Sequence, residues 1–290
     1  MSSILTNTGA MVALQTLKST NNSLDRTQNA ISTGKDIASA KDGPAIWAVS
    51  KVMEADVGAF DAIQNQLGLG IATVGTALAG AENIVETFKK IEALVIDSSS
   101  ESANHTENAN ELANLIAEIG GYVNSSQYNG ANLLRSNVDG SASGSTSLSI
   151  VSSLDRIGSA ATANITSIAT VDFEAAYGTS GGTAAPSLTA DIDVSDAAAA
   201  QASLANVLSH METAIAGAAK LGAAARQMEN QSNFISKLSD SLKTGIGIMV
   251  DADMEETSAR LQALQVQQQL GIQALSIANQ APQNILSLFR

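Results

Sequence analysis

Residues 261–289 read LQALQVQQQLGIQALSIANQAPQNILSLF, without one Asp, Glu, Lys or Arg. Leu, Ile and Val recur at helical spacing, and the positions between them are Gln, Asn and Ser. A helix that faces bulk water normally carries charge on its outer face. A neutral, amide-rich face suits a surface that other copies of the same chain will cover. The opposite end has the same character: Met1 to Leu17 carry no charged side chain and space Leu5, Val12, Leu14 and Leu17 along a second amphipathic stretch. Leu261, Leu264, Leu275 and Leu286 are the matching apolar positions at the C-terminal end. Paired neutral ends point to a subunit that assembles with itself through these eight residues and their neighbours.

Working inward, Pro44 follows a non-periodic connector, KDIASAKDGP, and is placed to open a helix. Ile46, Val49, Met53, Val57, Phe60, Leu67, Ile71, Val74, Leu78, Val85, Phe88 and Val95 then recur in steps of three and four or their sums. A helix from Pro44 to Ile96 would be roughly 80 Å long at about 1.5 Å per residue. A further helix is predicted over about 108–125, followed by an Asn129-Gly130 turn. The seam resumes at Leu204, Val207, Met211, Ile215, Ala218, Gly222, Ala225, Met228, Ile235, Leu238 and Leu242. Gly245 and Gly247 in TGIGIMVD are expected to break it. A last helix is predicted from near Ala252 to about Ser287, with Pro282 kinking it or ending it early.

Between the two seams lies a stretch rich in Ser, Thr, Gly and Ala. SLSIVSS (147–153), NITSIATVDF (164–173) and ADIDVSD (190–196) alternate and read as short strands and turns. The stretch is polar and is expected to be peripheral. The fold class is therefore mainly α: a long antiparallel helical rod with coiled-coil-like seams, the N- and C-terminal helices paired, and a small β-rich region at the far end. The expected domains are 1–44 plus 245–290, 45–135 plus 196–244, and a variable region at 136–195.

Composition narrows the function. Of 290 residues, 44% are hydrophobic but 3% are aromatic, which fits thin helical contacts better than a broad globular core. A formal net charge of −13 argues against nucleic acid. There are no cysteines, so disulfides, thiolate zinc sites and cysteine nucleophiles are excluded. The N-terminus has no basic region, continuous apolar core or cleavage site of a secretory signal, and membrane insertion is not expected. His105 and His210, the two histidines, sit in no ligand pattern and are expected to face solvent. Gly68 and Gly70 lie inside the long helix and read as a close-packing site, not a phosphate loop. Asp251, Asp253, Glu255 and Glu256 stand near a helix start, where a carboxylate complements the helix dipole. No HExxH, GxSxG or paired nucleophile occurs. No catalytic residue, metal site or cofactor is expected.

Several stretches carry a resemblance: ILTNTGAMVALQTL (4–17), SLDRTQNAISTGKDIASAKDGPA (23–45), IVETFKKIEALVIDSSS (84–100), SSQYNGANLL (125–134), DADMEETSARLQ (251–262) and the closing ANQAPQNILSLFR (278–290). Over nearly its whole length the chain resembles a bacterial flagellin, and AKDGPAIWAVS with Trp47 resembles flagellins of alphaproteobacteria. The large outer domains of enteric flagellins are missing from the middle. The resemblance implies a structural subunit of the flagellar filament, with a hook–filament junction protein as the alternative. It implies terminal helices in an inner tube that order on assembly, rod helices in an outer tube, and a variable middle projecting outward. It also implies export through the flagellar secretion apparatus and partnership with an export chaperone and with hook-associated and cap proteins. In some flagellins a host flagellin receptor contacts the rod helix and its neighbour. The matching positions here are Lys90, Leu94 and Glu111, with Glu92 where a basic residue is expected.

Overall fold

A computed structural model describes residues 7–141, 143–157, 160–177 and 186–288, with the side chains at 157, 160, 161, 186, 187 and 281–288 outside the description. The elements in order are α1 (Thr8–Thr33), α2 (Pro44–Ser98), α3 (His105–Ser125), β1 (Gln127–Tyr128), β2 (Ala131–Asn132), β3 (Ser147–Ile157), β4 (Ala160–Ala169), α4 (Phe173–Tyr177), α5 (Pro186–Asp191), α6 (Ala197–Val250) and α7 (Met254–Leu288). The fold is mainly α, with long helices and two small antiparallel hairpins. The chain divides into two compact units, 1–57 with 240–290 and 58–239.

In the first unit, α1 and α7 run antiparallel. Asn7 Nδ2 donates to the Ala278 carbonyl at 2.7 Å, Gln268 Nε2 donates to Asn21 Oδ1 at 2.8 Å, and Leu17 rests against Gly271. Asn7 also caps α1, accepting from the Ala10 amide at 3.0 Å. The less exposed positions of α1 are Ala10, Ala13, Leu17, Thr20, Asn21, Leu24, Thr27, Ala30 and Ile31; those of α7 are Thr257, Leu261, Leu264, Gln268, Gly271, Leu275 and Ala278. On α7 every step is three or four, the spacing of a coiled-coil seam, and α1 keeps that spacing with Asn21 and Ala30 as flanking positions. Many of these seam residues are small or polar, so the contact is narrow. Gly34 ends α1 in the left-handed region at φ 70°. Beyond it a short antiparallel bridge joins Lys35 to Asp251. The Asp36 amide donates to the Val250 carbonyl at 2.8 Å, and the Ala252 amide to the Gly34 carbonyl at 3.0 Å.

The helix break lies at Asp251, not at Gly245 and Gly247. Both glycines stay inside α6. A mid-helix Gly costs about 1 kcal/mol relative to Ala, which the packing of a helix this long outweighs. Asp253 caps α7, its Oδ1 accepting from the Glu255 and Glu256 amides at 2.9 and 3.2 Å. The acidic cluster thus marks a helix start, as the sequence implied. The assignment of α7 runs through Pro282 to Leu288, so the proline does not end the helix early.

In the second unit the buried row of α2 is Leu67, Gly70, Val74, Ala77, Ala81, Ile84, Phe88, Ile91 and Val95. Its counterpart on α6 is Ser203, Val207, His210, Ala214, Gly217, Leu221 and Met228. Gly70 faces Met228, and Phe88 faces His210. The two contacts have the same spacing on each helix, as an antiparallel heptad pair requires. Of the seam positions expected from the sequence, Leu67, Val74, Phe88 and Val95 on α2 and Val207 and Met228 on α6 lie on this row. Ile215 on α6 does not and is 48% exposed; the seam there is Ala214 and Gly217. α2 alone among the described helices is long and apolar enough to cross a membrane, yet 39% of that stretch is buried within the chain.

Asn129 (φ 51°) and Gly130 (φ 80°) turn β1 into β2, as the dipeptide predicts. β3 and β4 form an antiparallel hairpin with an irregularity between Val151 and Ser153. Ile150 reaches the Gly70–Met228 contact, and Gln231 Nε2 donates to the Ser152 carbonyl at 2.9 Å. The stretch ADIDVSD is not a strand: α5 ends at Asp191 and the rest is coil. The middle stretch is also less peripheral than its composition suggests. Phe173, Tyr177, Leu188, Ile192 and Val194 are fully or almost fully buried, although Ile165 on the hairpin is 62% exposed.

Candidate functional site: the assembly faces

The terminal residues singled out in the sequence separate into two groups. Leu17, Leu261, Leu264 and Leu275 are half-buried along the α1–α7 seam. Val12 and Leu14 point away from it, 63% and 58% exposed. Leu5 and the side chain of Leu286 lie outside the described residues. Met11 on α1 and Val266, Leu270, Ile272 and Ile277 on α7 are exposed as well. Spacing alone does not single out these five. Their signal is that each falls between seam positions within the uncharged stretches 1–17 and 261–289. Exposed apolar side chains on a neutral stretch are candidates for an interaction surface.

The second unit has a comparable feature. On α6, Leu204, Leu208, Met211, Ile215, Ala218, Gly222 and Ala225 follow one another in steps of four and three beside the buried row. All are exposed or half-exposed. One helix thus carries two heptad stripes. The first is covered by α2 and the middle segment; the seam expected from the sequence mixes the two, taking Val207 and Met228 from the first and Met211, Ile215 and Ala218 from the second.

Of the receptor positions, Lys90 and Glu111 are exposed and Leu94 is half-buried. Lys90 and Leu94 share a face of α2 at an i, i+4 spacing. Glu92 is half-buried.

Neither histidine simply faces solvent. His105 Nδ1 lies 3.0 Å from the Val194 carbonyl. The His210 ring stacks near-parallel on Phe88 at 6.2 Å between centroids and meets Tyr177 edge-on at 5.8 Å. Its Nε2 is 3.3 Å from Asp191 Oδ2. The physical reason is position: both residues lie where the middle segment folds back onto the helices, and a His ring offers a flat apolar face with polar edges. Tyr177 donates to the His210 carbonyl at 3.0 Å, and burial pushes its phenol well above the usual range.

Charges elsewhere serve turns and helix ends. Hydrogen bonds from the Ser39 hydroxyl and amide hold Asp42 below the usual carboxylate range. The Ser195 amide does the same for Asp193. Lys51, helped by Lys35, lowers Glu54. Among the described residues, no group of three His, Asp or Glu could hold a metal ion.

Residues 4–139 match the bacterial flagellin N-terminal helical region, and residues 204–289 match the bacterial flagellin C-terminal helical region. The chain is 40% identical to "Flagellin" of Brucella melitensis biotype 1 over the full length of both. It is 37% identical to "Flagellin FljM" of Caulobacter vibrioides, across all of this chain and 99% of the other, and 31% identical to "Flagellin A" of Rhizobium meliloti over the full length of both. The chain belongs to the bacterial flagellin family. It is a structural subunit of the extracellular flagellar filament, the polymer that drives swimming. The two matched regions bracket residues 140–203, which hold the β3–β4 hairpin, α4 and α5.

Proposed function

We propose that the chain enters the filament through two surfaces with different tasks. The neutral α1–α7 pair, with Val12, Leu14 and the exposed α7 residues, forms the inner contacts between copies, and the second stripe of α6 contributes to the outer ones. In this reading 1–44 with 245–290 is the inner domain, 45–135 with 196–244 the outer helical domain, and 136–195 the variable region. The observation that carries it is the set of large apolar residues left exposed on the uncharged stretches of the terminal helices. Leu17, Leu261, Leu264 and Leu275 align the two helices, and Leu5 and Leu286 extend the same contacts.

The chain acts mechanically and has no enzymatic role. Its partners besides itself are the flagellar secretion apparatus, an export chaperone, and hook-associated and cap proteins. A host flagellin receptor would meet Lys90, Leu94 and Glu111, weakened by the opposite charge of Glu92.

Filament growth tests the core of this reading. Purified monomer, dissociated in acid and returned to neutral pH, should form long filaments in negative-stain micrographs. A junction protein would not. Short or absent filaments under conditions where other flagellins polymerise would overturn self-assembly through these faces.

A further inference from the structure

We infer that His210 and Asp191 form a proton-operated latch that fastens the middle segment, which lies between the two matched family regions, onto the helices within them. His210 lies in the C-terminal family region and Phe88, on which its ring stacks, in the N-terminal one. Tyr177 and Asp191, its other two neighbours, lie in the unmatched stretch between. One imidazole on α6 therefore touches three other elements: α2, α4 and α5.

The contacts divide by charge state. Neutral imidazole keeps the stacking on Phe88 and the edge contact with Tyr177. Protonation at acid pH makes both ring nitrogens donors and places a cation against the Asp191 carboxylate. It also sets that cation over the Phe88 face, an attractive geometry. The His210 side chain is 17% exposed and that of Asp191 is 50%, so solvent protons reach the pair and the attraction is partly screened. α5 is further tied to α6 by Asn206 Nδ2, which donates to the Asp191 carbonyl at 2.7 Å. The ion pair therefore adjusts an attachment that already exists.

Other titratable groups border the latch. On α6, Glu212 is close in sequence. The coil after α5 carries Asp193 and Asp196. α3 brings His105, hydrogen-bonded to the Val194 carbonyl, and Glu107. α2 carries Glu92 one turn beyond Phe88, and α4 contributes Tyr177, whose phenol stays neutral. At about pH 5 the ordinary carboxylates remain charged while histidine protonates, so a response between about pH 5 and 8 reports on His210 or His105.

Hydrogen exchange of the full-length monomer separates them. Amides of 188–196, corrected for intrinsic exchange, should open about two- to fivefold less often at about pH 5 than at about pH 8, the range of a partly exposed ion pair. His210→Gln and Asp191→Asn should each abolish the difference, and His105→Gln should leave it. Raising salt should shrink it. No difference in the parent protein overturns the latch, and so does one that survives Asp191→Asn or disappears in His105→Gln. If Asp191→Asn disrupts the fold by circular dichroism, His210→Gln alone decides.

Discussion

Gly217 lies directly beneath the Phe173 ring: a Cβ added there would come within 2.5 Å of Phe173 Cζ and 2.6 Å of Val171 Cγ1. Phe173 is almost fully buried, so the ring has little room to retreat. Gly217→Ala is expected to destabilise the monomer by about 1–3 kcal/mol, despite the better helix propensity of alanine. Gly75→Ala, where a Cβ meets nothing within 4 Å, should instead stabilise it by about 0.5–1 kcal/mol. Urea unfolding followed by circular dichroism tests both. Equal effects would mean that the Phe173 contact is misplaced.

Phe88 anchors the aromatic cluster, fully buried with its centroid 5.1 Å from that of Tyr177. Phe88→Ala should cost about 3–5 kcal/mol. The loss should raise exchange in 173–177 and 188–194 more than in α1 or α7. Uniform loosening of the whole chain would contradict a cluster that serves the second unit.

Val12→Asp and Leu14→Asp should leave the monomer's helix content unchanged and depress polymerisation strongly, because an exposed charge becomes a buried one only in the filament. Leu275→Asp should do both kinds of damage, since Leu275 lies on the α1–α7 seam. Sedimentation of assembled protein with monomer circular dichroism separates the outcomes. Normal filaments from Val12→Asp and Leu14→Asp would remove that face from the assembly surface.

Acid should weaken the fold in part through Asp193 and Asp42. Both folded pKa values are depressed by hydrogen bonds to the charged form. Their contribution is therefore fully present above the unfolded carboxylate value of about 4 and is lost as pH falls through the lower folded values. Asp193→Asn should reduce stability at neutral pH and flatten the acid-induced loss. Thermal melts at pH values spanning that window check it; an unchanged slope would show that the Ser195 contact has no energetic role.

Receptor activation should be weaker than for a flagellin with a basic residue at the Glu92 position. Glu92→Arg should raise potency over tenfold if the reversal is worth about 2 kcal/mol in a partly desolvated contact. A reporter-cell dose response with monomer decides, and no gain would remove Lys90, Leu94 and Glu111 from consideration.

The long helices, the paired ends and the Asn129-Gly130 turn were legible because each rests on local chemistry: spacing, a proline, a positive-φ dipeptide. The seam of the second unit was legible only in outline. Its central residues are Gly70, Ala77, Ala81, Ala214 and Gly217, and a search for large aliphatic side chains passes over them. Two of those small residues leave room for neighbouring side chains, Gly70 for Ile150 and Met228 and Gly217 for Phe173 and Val171, while Leu208 and Ile215 stay outside. The end of α6 was misjudged at Gly245 because tertiary packing outweighs a residue's intrinsic preference, whereas the end of α7 lies within a residue of the expected Ser287. His210 was invisible as a site, since its partners Phe88, Tyr177 and Asp191 are far from it or irregularly spaced in sequence.

The hydrogen bonds that join Gly34 and Asp36 to Ala252 and Val250 also set an order of events in time. Asn7 and Ala278 are 271 residues apart along the chain, and closing so large a loop early carries an entropy cost with little contact energy to offset it. Once the bridge at Lys35–Asp251 has formed, the remaining closure is short. α1 and α7 should then zip from the bridge outward, turn by turn, with the two chain ends last to be captured. Pulse-labelled exchange during assembly should register protection near 24–33 and 254–264 before 8–14 and 272–280. The reverse order would mean that the ends are caught first by another copy and that the zipper runs inward.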